Sequence, residues 1–278
     1  PFVRLFWRFA RAFLLLNLLR LTGRFPVRFR SRKLWPVLLA GLFEPVLYFP
    51  CEQYGLKLTS TSFSGVMVAL IPLCSLVYGA IFLHEKATWR QVVFSVLSVA
   101  GVIVLAVYAT GIGAGSFLGF LILLGTVFAG AGYIVACRAC SGSFTAFERT
   151  YITCGMGAAA FGVLSVLEHR HDLSAVVLPM THAPFALAIV FLSVVASVLS
   201  YHALNRALEV LPVARTAALI NFSTVVSVLA GVLLLHEPFG WVSAVASAAI
   251  LVGIWGVQRF AAPALPDADK RTELLPPS

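Results

Sequence analysis

Charge is scarce in this sequence. Asp, Glu, Lys and Arg make up 11% of its 278 residues, against roughly 25% in an average soluble domain. That shortfall excludes a soluble globule and a disordered chain, both of which depend on charged side chains meeting water. Cysteine is sparse and scattered: Cys51, Cys74, Cys137, Cys140 and Cys154 do not form a disulfide framework. The C-x-x-C of Cys137 and Cys140 has no second pair or nearby histidine to complete a zinc set, so it reads as two ordinary thiols at a helix end. Catalytic signatures are missing as well. The sequence holds no P-loop, nucleophile elbow, paired catalytic carboxylates or H-E-x-x-H. Neither a metal nor a cofactor is expected.

What the sequence has in abundance is apolar length. Hydrophobic residues are 60% of the chain and mean hydropathy is +0.96. Nine apolar stretches stand out, at about 2–22, 34–51, 62–84, 90–109, 115–137, 150–167, 184–204, 214–235 and 239–258. Each approaches the ~20 residues a helix needs to cross the hydrocarbon core while satisfying its own backbone. The runs are continuous rather than alternating, which argues against a β-barrel. The fold class read here is therefore all-α, a polytopic membrane protein. The tail 261–278 turns polar and proline-rich and is expected to be disordered.

The net charge of +9 looks like a nucleic-acid signal until the cations are mapped to short loops between the apolar runs. Fifteen of the twenty Lys and Arg residues fall on the side of loop 23–33, including Arg138, Arg149, Arg206 and Arg259. The positive-inside rule makes that side, and the C-terminus, cytoplasmic. The opening RLFWRFAR-AFLLLNLLRL has the basic-then-apolar order of a signal peptide, but an internal repeat gives it a better account as a helix.

That repeat has an offset of 152. FLHEKATW at 82–89 aligns with LLHEPFGW at 234–241, and identities such as Ser75/Ser227, Gly79/Gly231, Glu85/Glu237 and Gly101/Gly253 follow without a gap. Shifting stretch 150–167 back by the offset overlays the first segment, whereas 115–137 falls before residue 1. One helix is thus expected to be missing, leaving nine of ten. The organisation read is a first repeat over 1–110, a second over 111–260 and the tail. Five helices is an odd number, so the second repeat enters the bilayer in the opposite sense. Inverted repeats of this kind are common in secondary transporters.

These motifs resemble a known family. Y-G-L-K-L-T-S-T-S, the Ile71-Pro72 helix, F-L-H-E-K-A-T-W, the run L-G-F-L-I-L-L-G-T-V-F-A-G-A-G-Y-I-V-A-C-R and the closing V-G-I-W-G are similar to the EamA-type transporters of the drug/metabolite transporter superfamily. The resemblance implies ten helices in two inverted repeats. Two departures stand out: the opening helix is absent, and Thr224 replaces the usual proline of the ninth helix.

Glu44, mid-helix in LLAGLFEPVLYFP, is the first candidate for chemistry. A carboxylate at membrane depth is costly and by default faces the bundle interior. Its repeat equivalent is Ala196, so it is not part of the shared scaffold. A single carboxylate of this kind suits proton coupling or cation binding, because burial favours its neutral form. A buried acid bonded to a neighbouring helix is the plainer alternative. Pro45 should kink the helix, and Tyr48 and Glu52 follow at one-turn spacing, Glu52 near the hydrated end. Arg8-Phe9 resembles the family's Arg-Phe pair and suggests a cavity-facing role, while snorkelling of Arg8 and Arg11 to the interface is the alternative. Tyr201, His202, Asn205 and Asn221 could orient a substrate or simply bond helices together. Glu85 and Glu237 read as turn acids, glycines such as Gly155, Gly157 and Gly162 as packing positions, and EHRHD at 168–172 as a solvated loop rather than a metal site.

The function expected is a secondary transporter of the inner or plasma membrane, exporting a small metabolite, amino acid or drug-like compound against proton entry. The expected partners are the bilayer, a small-molecule substrate and protons, with a homodimer left open and nucleic acid excluded. A membrane-embedded enzyme on a lipid-linked substrate, a non-transporting scaffold, and an exchanger or uniporter of the same family are the alternatives.

Overall fold

A computed structural model describes the chain except for residues 1, 24, 26, 28–32, 60–63, 65–66, 111–116, 171–175, 177–182, 223–224, 227–239 and 261–278. Thr224, His236, Glu237, part of the 168–172 loop and the tail therefore lie outside the described residues.

Every regular element among the described residues is helical. In chain order they are α1 (Phe2–Leu21), α2 (Trp35–Gly41), α3 (Tyr48–Leu58), α4 (Ile71–Phe82), α5 (Trp89–Thr110), α6 (Phe117–Ala139), α7 (Ala146–Glu168), α8 (Ala183–Ser193), α9 (Ser200–Val210), α10 (Val213–Ile220) and α11 (Trp241–Arg259). Among the described residues, four segments are long and apolar enough to cross a membrane: Phe117–Ala139, Ala146–Glu168, Ala183–Val210 and Trp241–Arg259. Helix α1 has the length but carries Arg4, Arg8, Arg11 and Arg20.

Two boundaries differ instructively from the sequence pattern. Helix α7 starts before the predicted 150, because Thr145 and Glu148 form a capping box. The Thr145 hydroxyl accepts from the Glu148 N–H at 3.2 Å, and the Glu148 carboxylate accepts from the Thr145 N–H at 3.0 Å. The predicted helix 184–204 runs on to Val210 because its last turns pair a buried face of Tyr201, Asn205 and Leu208 with a polar one.

The expected kink at Pro45 is present, and it has a partner. Leu42–Leu47 is a widened, π-type turn joining α2 to α3, and Val194–Leu199 is another joining α8 to α9. Each begins and ends 152 positions from its counterpart, and so do α3 and α9. A shared local irregularity at the repeat offset is harder to produce by chance than shared apolar residues.

The chain divides into two compact units, Pro1–Pro50 with Ala136–Glu209, and Cys51–Val135 with Val210–Ser278. Each draws on both sequence repeats. In the first unit α1 packs on α7. A Cβ on Gly162, Gly157 or Gly155 would lie 3.3 Å from Phe6, 2.7 Å from Phe9 and 3.0 Å from Phe13 respectively. Asn17 meets Tyr151 at 2.9 Å. As α1 is climbed the partner number falls, so the pair is antiparallel. The second unit pairs α5 with α11 in the same way. Thr88 donates to the Phe260 carbonyl at 2.8 Å, Phe94 faces Gly253 and Gly256, and Gly101 faces Ala246 and Ile250.

Small residues make these contacts possible. A Cβ on Gly253 would sit 2.7 Å from the Phe94 carbonyl, and one on Gly101 would sit 2.8 Å from the Ala246 carbonyl. In lipid there is little hydrophobic gain in bringing helices together, so close van der Waals contact carries the association.

Candidate functional site

The first compact unit gathers the candidate residues around the two helix breaks. At the first break Pro45 offers no N–H, and the residue before a proline is pushed from helical toward extended backbone. Glu44 follows that rule, with φ −141° and ψ 120°. Its carboxylate accepts a hydrogen bond from the Tyr201 hydroxyl at 2.7 Å, an ordinary O–H···O distance. Tyr201 begins the first turn after the second break and is 5% exposed.

Arg8 reaches the second break from α1. Its Nε donates to Ser197 Oγ at 2.8 Å and its Nη2 to the Ala196 carbonyl at 3.0 Å. The guanidinium also lies 5.3 Å from the Phe9 ring centroid and 5.1 Å from that of Phe49, within cation–π range. A cation at a carbonyl-rich helix end is electrostatically favoured. The Arg8 donors just named hold the second break; Arg11 instead donates to the Ala186 carbonyl at 3.5 Å.

Aromatic rings frame these polar groups. Phe9 and Phe161 stack at 5.7 Å. Phe9 meets Tyr201 at 6.3 Å, and Phe161 meets Phe49 at the same 6.3 Å. The repeat offset exchanges Phe9 with Phe161 and Phe49 with Tyr201, so the last two contacts join counterpart positions, with the rings inclined at 39° and 73°. Residue i touching j while j's counterpart touches i's is the mark of a two-fold relation. The frame is symmetric and the chemistry is not. Arg8, Glu44 and the Tyr201 oxygen stand opposite Ala160, Ala196 and Phe49.

The remaining sequence candidates separate. Tyr48 is partly buried and edge-on to Phe49 at 5.2 Å. His202, next to Tyr201, lines a cleft of about 580 Å³ with Arg206, Glu209 and the α6–α7 turn. Asn205 donates to Thr150 at 3.2 Å, a buried helix-to-helix bond. Asn221 belongs to the second compact unit, where it donates to Ser98 at 3.1 Å. Glu85 also lies there and accepts from the Val213 N–H at 2.9 Å, capping α10. Among the described residues no group of three His, Cys, Asp or Glu side chains could hold a metal.

Sequence reasoning missed a buried charge cluster below the cleft. Arg149, with its side chain fully buried, donates to the Cys137 carbonyl at 2.7 Å, the Asn205 carbonyl at 2.8 Å and Glu209 at 3.0 Å. Glu209 accepts from the Ala146 N–H at 2.6 Å and from Arg206, and Arg138 donates to the Leu208 and Glu209 carbonyls at 2.8 and 3.1 Å. Cations thus sit at the carbonyl ends of α6 and α9, and an acid at the N–H end of α7. The T-x-x-E at 145–148 was the available signal for where this junction lies.

A sequence profile described as the EamA-like transporter family matches residues 1–107 and 117–259. An "Uncharacterized transporter YcxC" of Bacillus subtilis (strain 168) is 30% identical over 259 residues, covering 92% of this chain and 83% of its own. An "Uncharacterized transporter" of Archaeoglobus fulgidus is 26% identical over 255 residues, covering 91% and 86%. A solved structure titled "Crystal structure of protein" superimposes with a TM-score of 0.79 at 20% identity, over 94% of this chain and 89% of that one. That likeness speaks to fold alone.

Proposed function

The chain belongs to the EamA-like transporter family, and we propose that it is a proton-coupled secondary transporter exporting a small metabolite, amino acid or drug-like compound. It is a multi-pass membrane protein, and its place in this reading is the inner or plasma membrane. The observation that carries the proposal is the 2.7 Å bond from Tyr201 to Glu44 at a helix break. Broken helices lining a shared site are the usual means by which inverted-repeat transporters present polar groups at membrane depth.

In this reading Glu44 holds either a proton or the substrate. Charged, it binds a donor group of the substrate. Protonated, it gives up that charge-assisted contact and the substrate is released. Export against proton entry follows if the two repeats exchange conformations between loadings. The cleft at the α6–α7 turn, lined by Arg206, is the proposed cytoplasmic mouth, and the loop bias of Lys and Arg supports a cytoplasmic C-terminus in the same reading. A reporter fused to the C-terminus and read from each side tests that orientation.

The function itself is tested in liposomes carrying an imposed pH gradient, with a panel of labelled metabolites. Gradient-driven flux of at least one compound is expected. Glu44→Gln should lower it by about tenfold or more, the scale of one lost charge-assisted interaction. Flux that ignores the gradient would make the chain an exchanger or uniporter instead.

A further inference from the structure

The two helix breaks are equivalent in place but are held open by different means. At the first, Pro45 removes a donor and drives Glu44 out of the helical region. The opening is written into the covalent chain. The counterpart of Pro45 is Ser197, which has its N–H. Neither proline nor glycine lies within Val194–Leu199, and the flanking Ser193 and Ser200 have ordinary helical dihedrals. No proline or glycine obliges this stretch to widen. Kinks and wide turns need an identifiable cause.

The cause reaches in from α1. A carbonyl within a regular helix accepts from the N–H four residues on, and here the Ala196 carbonyl accepts from Arg8 Nη2 at 3.0 Å. Arg8 Nε takes Ser197 Oγ at 2.8 Å. That hydroxyl in turn donates to the Leu192 carbonyl at 3.0 Å, and Ser200 Oγ donates to the Val195 carbonyl, also at 3.0 Å. Both serine bonds run five residues back, the spacing of the widened turn. Serine back-bonding contributes to the bend. A guanidinium bridging a carbonyl and a hydroxyl on successive residues is the stronger hold.

We infer that Arg8 is a positioning residue that does for the second break what Pro45 does for the first, with the difference that its hold can be released. The first break is permanent. The second closes toward regular helix when Arg8 lets go, and α9, which carries Tyr201, is then re-registered about its axis. Losing one residue of extra winding turns the downstream helix by about 100°, enough to take the Tyr201 hydroxyl away from Glu44. This consequence for transport rests on the reading of Glu44 and Tyr201 as the transport site; the hold on the break does not.

Spin labels test the hold without a substrate. The full chain, with its five native cysteines replaced by alanine, carries labels at Leu187→Cys and Ala203→Cys. These exposed positions flank the break, and double electron–electron resonance in lipid nanodiscs reads their separation. Arg8→Gln should move the distance distribution by about 3 Å or more, as a re-registered helix requires. Ser197→Pro fixes the break covalently, so adding Arg8→Gln to it should change nothing further. Arg8→Lys, whose single ammonium is a poorer bridge, should populate both distances and serves where Arg8→Gln does not fold. The inference is overturned if Arg8→Gln leaves the native distribution in place, or moves it as far in the Ser197→Pro background. Flux that is insensitive to Glu44→Gln alongside an intact distance shift would sink the transport reading and leave the hold standing.

Discussion

Tyr201→Phe removes one oxygen and keeps a ring that meets Phe9 at 6.3 Å. The change leaves the Glu44 carboxylate without a donor it now has at 2.7 Å, a loss of about 1.5–3 kcal/mol for a hydrogen bond to a charged group. Coupling to the pH gradient should fall while the thermal midpoint in detergent stays near native; a large fall in midpoint with coupling intact would assign Tyr201 to packing. Cys140, just past the end of α6, offers a second check. Burial pushes its thiol up to about 11, against a smaller opposing pull from the Arg149 charge. The folded chain therefore keeps a proton that the unfolded chain releases near the ordinary thiol value of about 8.5. Stability from this group is full below that value and declines as pH rises through the window toward about 11. Maleimide at neutral pH should spare Cys140 until the protein is unfolded, which mass mapping of the labelled thiols would read. At this scale the sequence was informative where a residue breaks its own rule locally. Pro45 after Glu44 announced the first break. Arg8's grip on Ala196 spans 188 positions and left no mark in either segment alone.

Among the elements, the antiparallel pair α5–α11 depends on backbone-to-backbone closeness. Gly253→Ala would bring a methyl within 2.7 Å of the Phe94 carbonyl and the Ser98 nitrogen. Backbone cannot move aside as a flexible side chain can, so the cost should be about 1–3 kcal/mol, that of an overpacked contact. Gly142→Ala, with nothing within 4 Å, is the matched control. A lower thermal midpoint for the first and a native one for the second is expected; equal midpoints would show that the helices do not pack as described. The Arg149 junction makes a harsher prediction. Arg149→Met removes three hydrogen bonds from a fully buried side chain and leaves Glu209 half-compensated, at about 3–5 kcal/mol. Loss of folded yield, partly recovered in Arg149→Met/Glu209→Gln, should be seen by size-exclusion chromatography. The start of α7 had a local signal in the cap of Thr145 and Glu148, but the apolar pattern put it at 150. The junction was not legible, because Arg149, Arg206 and Glu209 look in the sequence like an ordinary basic loop beside an ordinary acid.

At the scale of the whole chain, composition and the offset of 152 carried most of the reading. Continuous apolar runs dictate helices in lipid, and the offset of 152 pairs α3 with α9. The structure adds that α1 lies antiparallel to α7 in one compact unit and α5 to α11 in the other. Symmetric rings frame a site whose polar groups all come from unmatched positions. The offset already set Glu44 opposite Ala196 in the sequence, whereas the hold of Arg8 on Ala196 and Ser197 needed the structure. Asn221, read as either orienting a substrate or bonding helices together, donates to Ser98 in the second unit.

The most direct test of a carrier that trades protons for substrate at Glu44 is the reversal point of flux. Proteoliposomes holding a fixed pH gradient are titrated with a compound identified by the metabolite panel until its net movement stops. The native chain should stop at unequal concentrations on the two sides, displaced in proportion to the pH gradient, and Glu44→Gln should stop only at equal concentrations. A native chain that stops at equal concentrations, or a Glu44→Gln variant that stops where the native chain does, would contradict the account.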